Sequence, residues 1–181
     1  MAKNDDKKML QDIKDSINDT FKTDGHDVAQ IMGEVEDKLQ PKDWISTGDD
    51  ILDLSISNRP NGGVPLGRFT NIYGDSGLGK SLLVAKVFAN AQKKGGMCVY
   101  FDTENASYPP YMKVLGVDPD RLIHITKFNT VEKIFKSMIN FIVQFKEKGF
   151  TKPLIIAVDS MTAVTTETGA DLDNFEKKGY G

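Results

Sequence analysis

The stretch Gly74-Asp75-Ser76-Gly77-Leu78-Gly79-Lys80-Ser81 fits the phosphate-loop pattern G-x-x-x-x-G-K-[ST] at every defined position. It follows a strand-like segment, Arg68 to Tyr73, and precedes a helix-like run rich in Leu, Val and Ala from Ser81 to Lys94, which ends before Gly95-Gly96. That setting constrains the fold. Glycines let backbone N–H groups wrap a polyphosphate, and the helix start adds a favourable dipole, so the loop belongs between a strand and a helix of an α/β sheet. Lys80 is placed to neutralise β- and γ-phosphates. The Ser81 hydroxyl is a hard oxygen ligand suited to Mg2+, which keeps several waters. A chance lysine in a glycine-rich turn would need no such flanks. A dinucleotide fingerprint beginning at Gly77 would need glycine where Leu82 stands.

Strand-like and helix-like stretches alternate beyond the loop. Met97 to Phe101 and Arg121 to Thr126 read as strands, and Val131, Ile134, Phe135, Met138, Ile139, Ile142 and Val143 keep helical spacing up to a stop at Gly149. The Phe135 to Val143 stripe reads as core. Leu154-Ile155-Ile156-Ala157-Val158 is an uninterrupted apolar run of the kind buried on both faces, and it ends in Asp159. The fold class is α/β, with a mostly parallel sheet flanked by helices. Ligands gather at the carboxyl ends of such strands, so Asp159 is the natural carboxylate partner of the metal, although an aspartate there can also simply end a strand and cap a turn. Phe101-Asp102-Thr103-Glu104-Asn105 brings two more carboxylates to the same rim. Either Asp102 or Glu104 could orient a water on a γ-phosphate, or merely be solvated, and spacing does not choose between them. Tyr108 and Tyr111 follow closely, where an aromatic ring could stack on a base or pack in the ordinary way.

The first forty residues differ. Leu10, Ile13, Ile17 and Phe21 recur at helical steps, Asp24-Gly25 breaks the pattern, and Val28, Ile31, Met32, Val35 and Leu39 resume it, which predicts two short amphipathic helices. Pro41 ends this segment, so the chain divides into a helical part, 1–41, and a core, 42–181. Ser46-Thr47-Gly48-Asp49-Asp50 supplies capping chemistry for a short helix after Gly48. With 181 residues, 39% of them hydrophobic and 27% charged, one core of ordinary size is expected. The lone cysteine, Cys98, excludes an internal disulfide or a multi-cysteine zinc site and suits a reducing cytosol; it reads as a small core residue. His124, flanked by apolar residues, reads as structural, and His26 as solvated; neither has metal-ligand company. No apolar run reaches membrane-spanning length, and the start lacks a signal peptide's hydrophobic stretch. A net charge of −3 leaves nucleic-acid contact to a local patch or an assembled surface.

From about Trp44 to its end the chain resembles the RecA family of ATP-dependent recombinases, and most of all the UvsX-type enzymes of large phages. The resemblance rests on Ser46-Thr47-Gly48 followed by Leu52-Asp53, on Gly63-Val64-Pro65-Leu66-Gly67-Arg68, on the phosphate loop, on Phe101-Asp102-Thr103-Glu104 and on Val158-Asp159-Ser160. It implies a RecA-like P-loop NTPase using ATP and Mg2+. Gly74 to Ser81 would hold the nucleotide, and Ser81 with Asp159, the Walker B aspartate, would hold the metal. Glu104 would activate the hydrolytic water beside Lys80, and Tyr111 would stack on adenine. Tyr108 departs from the acidic adenine contact frequent in bacterial members. The resemblance further implies a homo-oligomeric filament that coats single-stranded DNA and pairs it with a homologous duplex, working in the cytoplasm, that of a host if phage-encoded. In such filaments an amino-terminal segment docks on the neighbouring protomer.

DNA contact in this family comes from two loops beyond the Walker B strand. The first would begin near Asp171 to Gly181, where Lys177, Lys178 and Tyr180 could meet phosphates and bases. Only about twenty residues follow Asp159, so the remaining strands, the second DNA loop and the γ-phosphate-sensing residue are expected to be missing and the core incomplete. The family pattern also sets a later strand between the phosphate-loop strand and the Walker B strand; without it the two must pair directly or leave open edges. A ring-forming DNA helicase motor shares the loop and the general fold, but Thr103-Glu104-Asn105 and the glycine-proline lead-in argue against it. A non-catalytic ATP-binding module is the remaining alternative.

Overall fold

The computed structural model describes residues 2–22, 26–34, 40–105, 107–128, 130–166 and 168. The chain divides into two compact units, Met1–Lys42 and Asp43–Gly181.

The first unit is built on helix α1 (Ala2–Phe21), which carries Asp5 in its first turn, where a carboxylate complements the helix dipole. Asn18, 6% exposed, ties this helix to the chain that follows. Its Oδ1 accepts from the Val28 and Ala29 amides at 3.0 and 2.7 Å, and its Nδ2 donates to the Ala29 carbonyl at 2.9 Å. Backbone groups outside any helix are thereby given partners. The apolar stripe Leu10, Ile13, Ile17 and Phe21 remains exposed. Residues 32–34 are helical, but Val28 and Ile31, expected in the second helix, are not: the chain there runs past α1 and is held by Asn18; the expected break at Asp24-Gly25, and Val35 and Leu39, lie outside the described residues.

The second unit opens with a small antiparallel pair, β1 (Trp44–Ile45) against β2 (Val64–Pro65). Between them runs α2 (Asp50–Ser57), capped by the Asp49 carboxylate, which accepts from the Leu52 amide at 2.8 Å. Buried Asp53 accepts from the Thr47 amide and hydroxyl at 2.7 and 2.6 Å, fixing the chain before the helix; desolvation pushes its carboxyl up, but hydrogen bonding from Ser46 and from Thr47 outweighs it and holds the carboxyl below the ordinary range.

The main sheet is parallel. It contains β3 (Met97–Asp102), β4 (Leu122–Ile125) and β5 (Leu154–Asp159) in the order β4-β3-β5. Strand periodicity sends alternate side chains of β3 to opposite faces. Cys98 and Tyr100 pack with Ala85, Phe88 and Ala89 of α3 (Lys80–Lys93), whereas Val99 and Phe101 pack with Ile134 and Phe141 of α5 (Val131–Glu147). Short helix α4 (Pro109–Val114) follows β3. This is the helix-flanked α/β sheet that the alternation of elements predicts, and none of the described helices is long and apolar enough to cross a membrane.

Three further expectations, all of the second unit, need correction. Arg68 to Tyr73 is not a strand: no partner pairs with it among the described residues, and Phe69 and Tyr73 are each 88% exposed. The alternative of open edges is the one observed. Second, β5 is only half-buried along its length, because among the described residues it has a strand neighbour on one side alone. Third, the α5 stripe divides. Ile134, Met138 and Phe141 meet the sheet, while Phe135, Ile139, Ile142 and Val143 stay 43 to 62% exposed, since the apolar arc is wider than the surface that covers it.

Candidate functional site

The phosphate loop depends on backbone freedom. Gly77 and Gly79 adopt φ of +82° and +88°, a region that side-chain-bearing residues rarely enter, and Gly79 is the residue from which α3 begins. Lys80, first in the helix, folds back over the loop: its Nζ donates to the carbonyls of Gly74 and Asp75, both at 2.9 Å. Asp75, Ser76 and Leu78 are exposed around it.

Ser81, one position further, points across to β5. Its hydroxyl donates to Asp159 Oδ2 at 2.5 Å, joining residues 78 positions apart in the chain. The same carboxylate oxygen accepts from the Tyr100 phenol at 3.0 Å. Burial, followed by the nearby Asp159 carboxylate, pushes the Tyr100 phenol well above its ordinary range, so it stays protonated and acts as donor. A hydroxyl oxygen and a carboxylate oxygen thus converge beside the loop. These hard donors fit an ion such as Mg2+, which takes its other ligands from water and phosphate.

Spacing leaves Asp102 and Glu104 open as candidate bases, and the structure gives them different surroundings. Asp102 is 1% exposed. Its Oδ2 accepts from the Ser107 amide at 2.9 Å and hydroxyl at 2.5 Å, and lies 3.2 Å from His124 Nε2. A carboxylate so engaged has little freedom to orient a water. Glu104 is exposed, and its Oε1 accepts from the Ser160 hydroxyl at 2.7 Å. Its turn is bound to the end of β5: the Thr103 amide donates to the Asp159 carbonyl at 3.0 Å, and the Thr103 hydroxyl to the Ser160 carbonyl at 2.7 Å. Register places Asp102 opposite Asp159, so the two strand ends present Glu104 and Asp159 on one rim.

Tyr111 stands on α4 and is 52% exposed; Tyr108, 66% exposed, precedes that helix. Lys177, Lys178, Tyr180 and the segment 171–181 lie outside the described residues. His124 does not enter the core. It shares a face with Tyr100 and joins the Asp102–Ser107 group, a placement that its apolar sequence neighbours conceal. Cys98 is 1% exposed, and burial pushes its thiol up to about 12, which suits a core residue and not a reactive thiolate.

Sequence reasoning gives no role to Tyr100, or to Ser160, which it names only as part of Val158-Asp159-Ser160. Tyr100 could have been found from strand parity, which puts it on the face of Asp102, and Ser160 from its position next to Asp159.

The RecA N-terminal domain family matches residues 11–178. Among curated proteins, the chain is 34% identical over 167 residues to Protein RecA of Campylobacter hominis, covering 92% of this chain and 44% of that one. It is 37% identical over 123 residues to Protein RecA of Wigglesworthia glossinidia brevipalpis, covering 68% of this chain and 35% of the relative. It is 42% identical over 102 residues to Protein RecA of Bifidobacterium breve, covering 56% of this chain and 25% of the relative. The chain therefore spans less than half the length of these relatives. With a phosphate loop aimed at a strand-end aspartate on a parallel sheet, and a family match running through nearly all of it, this chain belongs to the RecA family.

Proposed function

We propose that this chain is the ATP-hydrolysing part of a DNA recombinase that coats single-stranded DNA as a filament and pairs it with a homologous duplex. The observation that carries this reading is the meeting of Ser81 and Asp159 across the phosphate loop, with Glu104 held on the adjoining strand end by Ser160.

In this reading the loop from Gly74 to Gly79 wraps the phosphates with backbone N–H groups. Lys80 leaves the Gly74 and Asp75 carbonyls and pairs with the β- and γ-phosphates. Ser81 and Asp159 hold Mg2+, which when bound neutralises charge developing on the phosphate oxygens. Tyr100 keeps Asp159 turned toward Ser81. Glu104 orients a water in line with the γ-phosphate and accepts its proton, while Ser160 fixes the direction of the carboxylate. Tyr111 stacks on adenine. The exposed stripe of α1, at Leu10, Ile13, Ile17 and Phe21, docks on a neighbouring protomer to build the filament. The protein is of the phage UvsX type and works in the cytoplasm.

The test is ATP turnover by purified protein with and without single-stranded DNA. Turnover rises with DNA, and Lys80→Ala lowers it by about 100-fold or more, as loss of a group that stabilises the charge of the transition state does. Turnover indifferent to DNA overturns the recombinase reading. ATP binding without turnover favours a non-catalytic ATP-binding module.

A further inference from the structure

We propose that His124 is a positioning residue: through Asp102 and Ser107 it clasps shut the turn that carries Glu104. The link to catalysis rests on the ATPase reading above; the clasp itself does not.

The register of the sheet sets His124 of β4 opposite Tyr100 of β3, and strand parity gives both, with Asp102, one face. The imidazole lies nearly parallel to the Tyr100 ring, with centroids 5.8 Å apart and planes at 18°. That stacking leaves Nε2 directed at two oxygens, Ser107 Oγ at 2.9 Å and Asp102 Oδ2 at 3.2 Å. Asp102 Oδ2 also accepts from the Ser107 amide and hydroxyl. Asp102 is the last residue of β3, and Ser107 comes just before Tyr108, from which α4 starts. The contacts therefore pin the two ends of one turn to each other and to the neighbouring strand.

Glu104 rides on that turn, two residues beyond Asp102. Its own fixed contact is the Ser160 hydroxyl, and the neighbouring Thr103 is bound to β5. One side of the turn is thus held by β5 and the other by His124 on β4. An apolar residue would serve β4 equally well as a strand residue, but it would leave Ser107 and Asp102 without their tie to that strand. The clasp's hydrogen bonds do not touch the phosphate loop, and a ring kept against Tyr100, whose phenol donates to Asp159, leaves that side of the site in place, so removing Nε2 alone bears on where Glu104 stands and not on how phosphate is gripped. Displacement of a reacting group by about 1 Å costs up to roughly 100-fold in rate, and a loosened turn should cost a part of that.

Two measurements on the whole chain decide it. The first needs no nucleotide: hydrogen exchange at the Ser107 amide. In His124→Phe, which keeps an aromatic ring against Tyr100 and removes Nε2, this amide exchanges about tenfold faster, while amides of α3 keep their rates. In His124→Gln, whose amide nitrogen can reach the same two oxygens, protection returns. The second is steady-state ATP hydrolysis. His124→Phe lowers kcat about tenfold with KM for ATP within about twofold, and His124→Gln recovers most of the loss. Should His124→Phe fold poorly, Ser107→Ala removes the hydroxyl from the other side and gives the same kcat loss at unchanged KM.

Unchanged Ser107 exchange in His124→Phe overturns the clasp. A rise in KM at constant kcat, or a Gln variant as slow as the Phe variant, overturns its catalytic role. An inactive wild-type chain overturns the ATPase reading alone, since exchange still reports on the clasp.

Discussion

At residue scale, Cys98 shows how a single buried group acts on the whole fold. Its thiol donates to the Phe88 carbonyl at 3.7 Å inside the layer between β3 and α3, and burial, only partly offset by the Arg121 charge, raises its pKa from about 9 to about 12. The folded protein therefore keeps this proton where the unfolded chain has released it. Stability from this group is fully present below pH 9 and is lost as pH climbs through 12, at a limiting slope of about 1.4 kcal/mol per pH unit. Denaturant titrations at several pH values check this: between pH 9 and 12, Cys98→Ala loses stability less steeply than the wild-type chain. Equal slopes would mean that the thiol is not protected from ionisation. The same scale shows what a sequence can and cannot tell about a side chain. Cys98 is legible as core because its apolar neighbours on a short strand leave it nowhere else to go. His124 has similar neighbours and lies elsewhere, because its surroundings are set by Tyr100, Asp102 and Ser107, brought to it by strand pairing. The choice between Asp102 and Glu104 is hidden for the same reason: alternate positions of one strand end differ in exposure only once α4 and β4 are in place.

At the scale of elements, legibility follows how local the determining physics is. Helix α2 starts where Asp49 precedes Asp50-Ile51-Leu52, because the carboxylate caps an amide three residues ahead, an interaction contained within four residues. Asp49→Ala should cost about 1 kcal/mol of stability, read as a lower urea midpoint with unchanged m, whereas Asp49→Asn, which can cap equally well, should cost little. A loss shared by both variants would point to charge and not to capping. Helices α3 and α5 and strands β3, β4 and β5 are likewise legible, from periodicity and from glycine or proline stops. The segment Arg68 to Tyr73 is not. It has strand composition, but a strand is made by a partner, and none pairs with it among the described residues. The apolar arc of α5 fails in a related way: spacing reports which residues share a side of the helix, not how much of that side another element covers.

At the scale of the molecule, the site is assembled from chain segments far apart in sequence. The loop and the start of α3 supply residues 74 to 81, the end of β3 supplies Glu104, and the end of β5 supplies Asp159. The ends of β3 and β5 are joined by strand pairing, by the two Thr103 bonds and by the Ser160–Glu104 bond, whereas the loop side reaches the end of β5 through the Ser81–Asp159 bond. A nucleotide held by all three segments, as proposed, would bridge the phosphate loop to the sheet, and any ligand that binds the folded but not the unfolded chain stabilises it. Thermal melting should thus rise with ATP and Mg2+ together. At ligand 100-fold above Kd the gain is about 2.7 kcal/mol, roughly 5–10 °C for a chain of this size. Chelating the metal with EDTA in the presence of ATP should remove most of the shift, because Asp159 then faces phosphate with no cation between them. Lys80→Ala should also lose most of it, since the loop would lack its only lysine while the fold stays intact. No shift with ATP and Mg2+, or an equal shift in Lys80→Ala, would separate the loop from nucleotide binding. Because melting needs no turnover, it tests nucleotide binding directly, independently of DNA, of filament assembly and of where Glu104 stands.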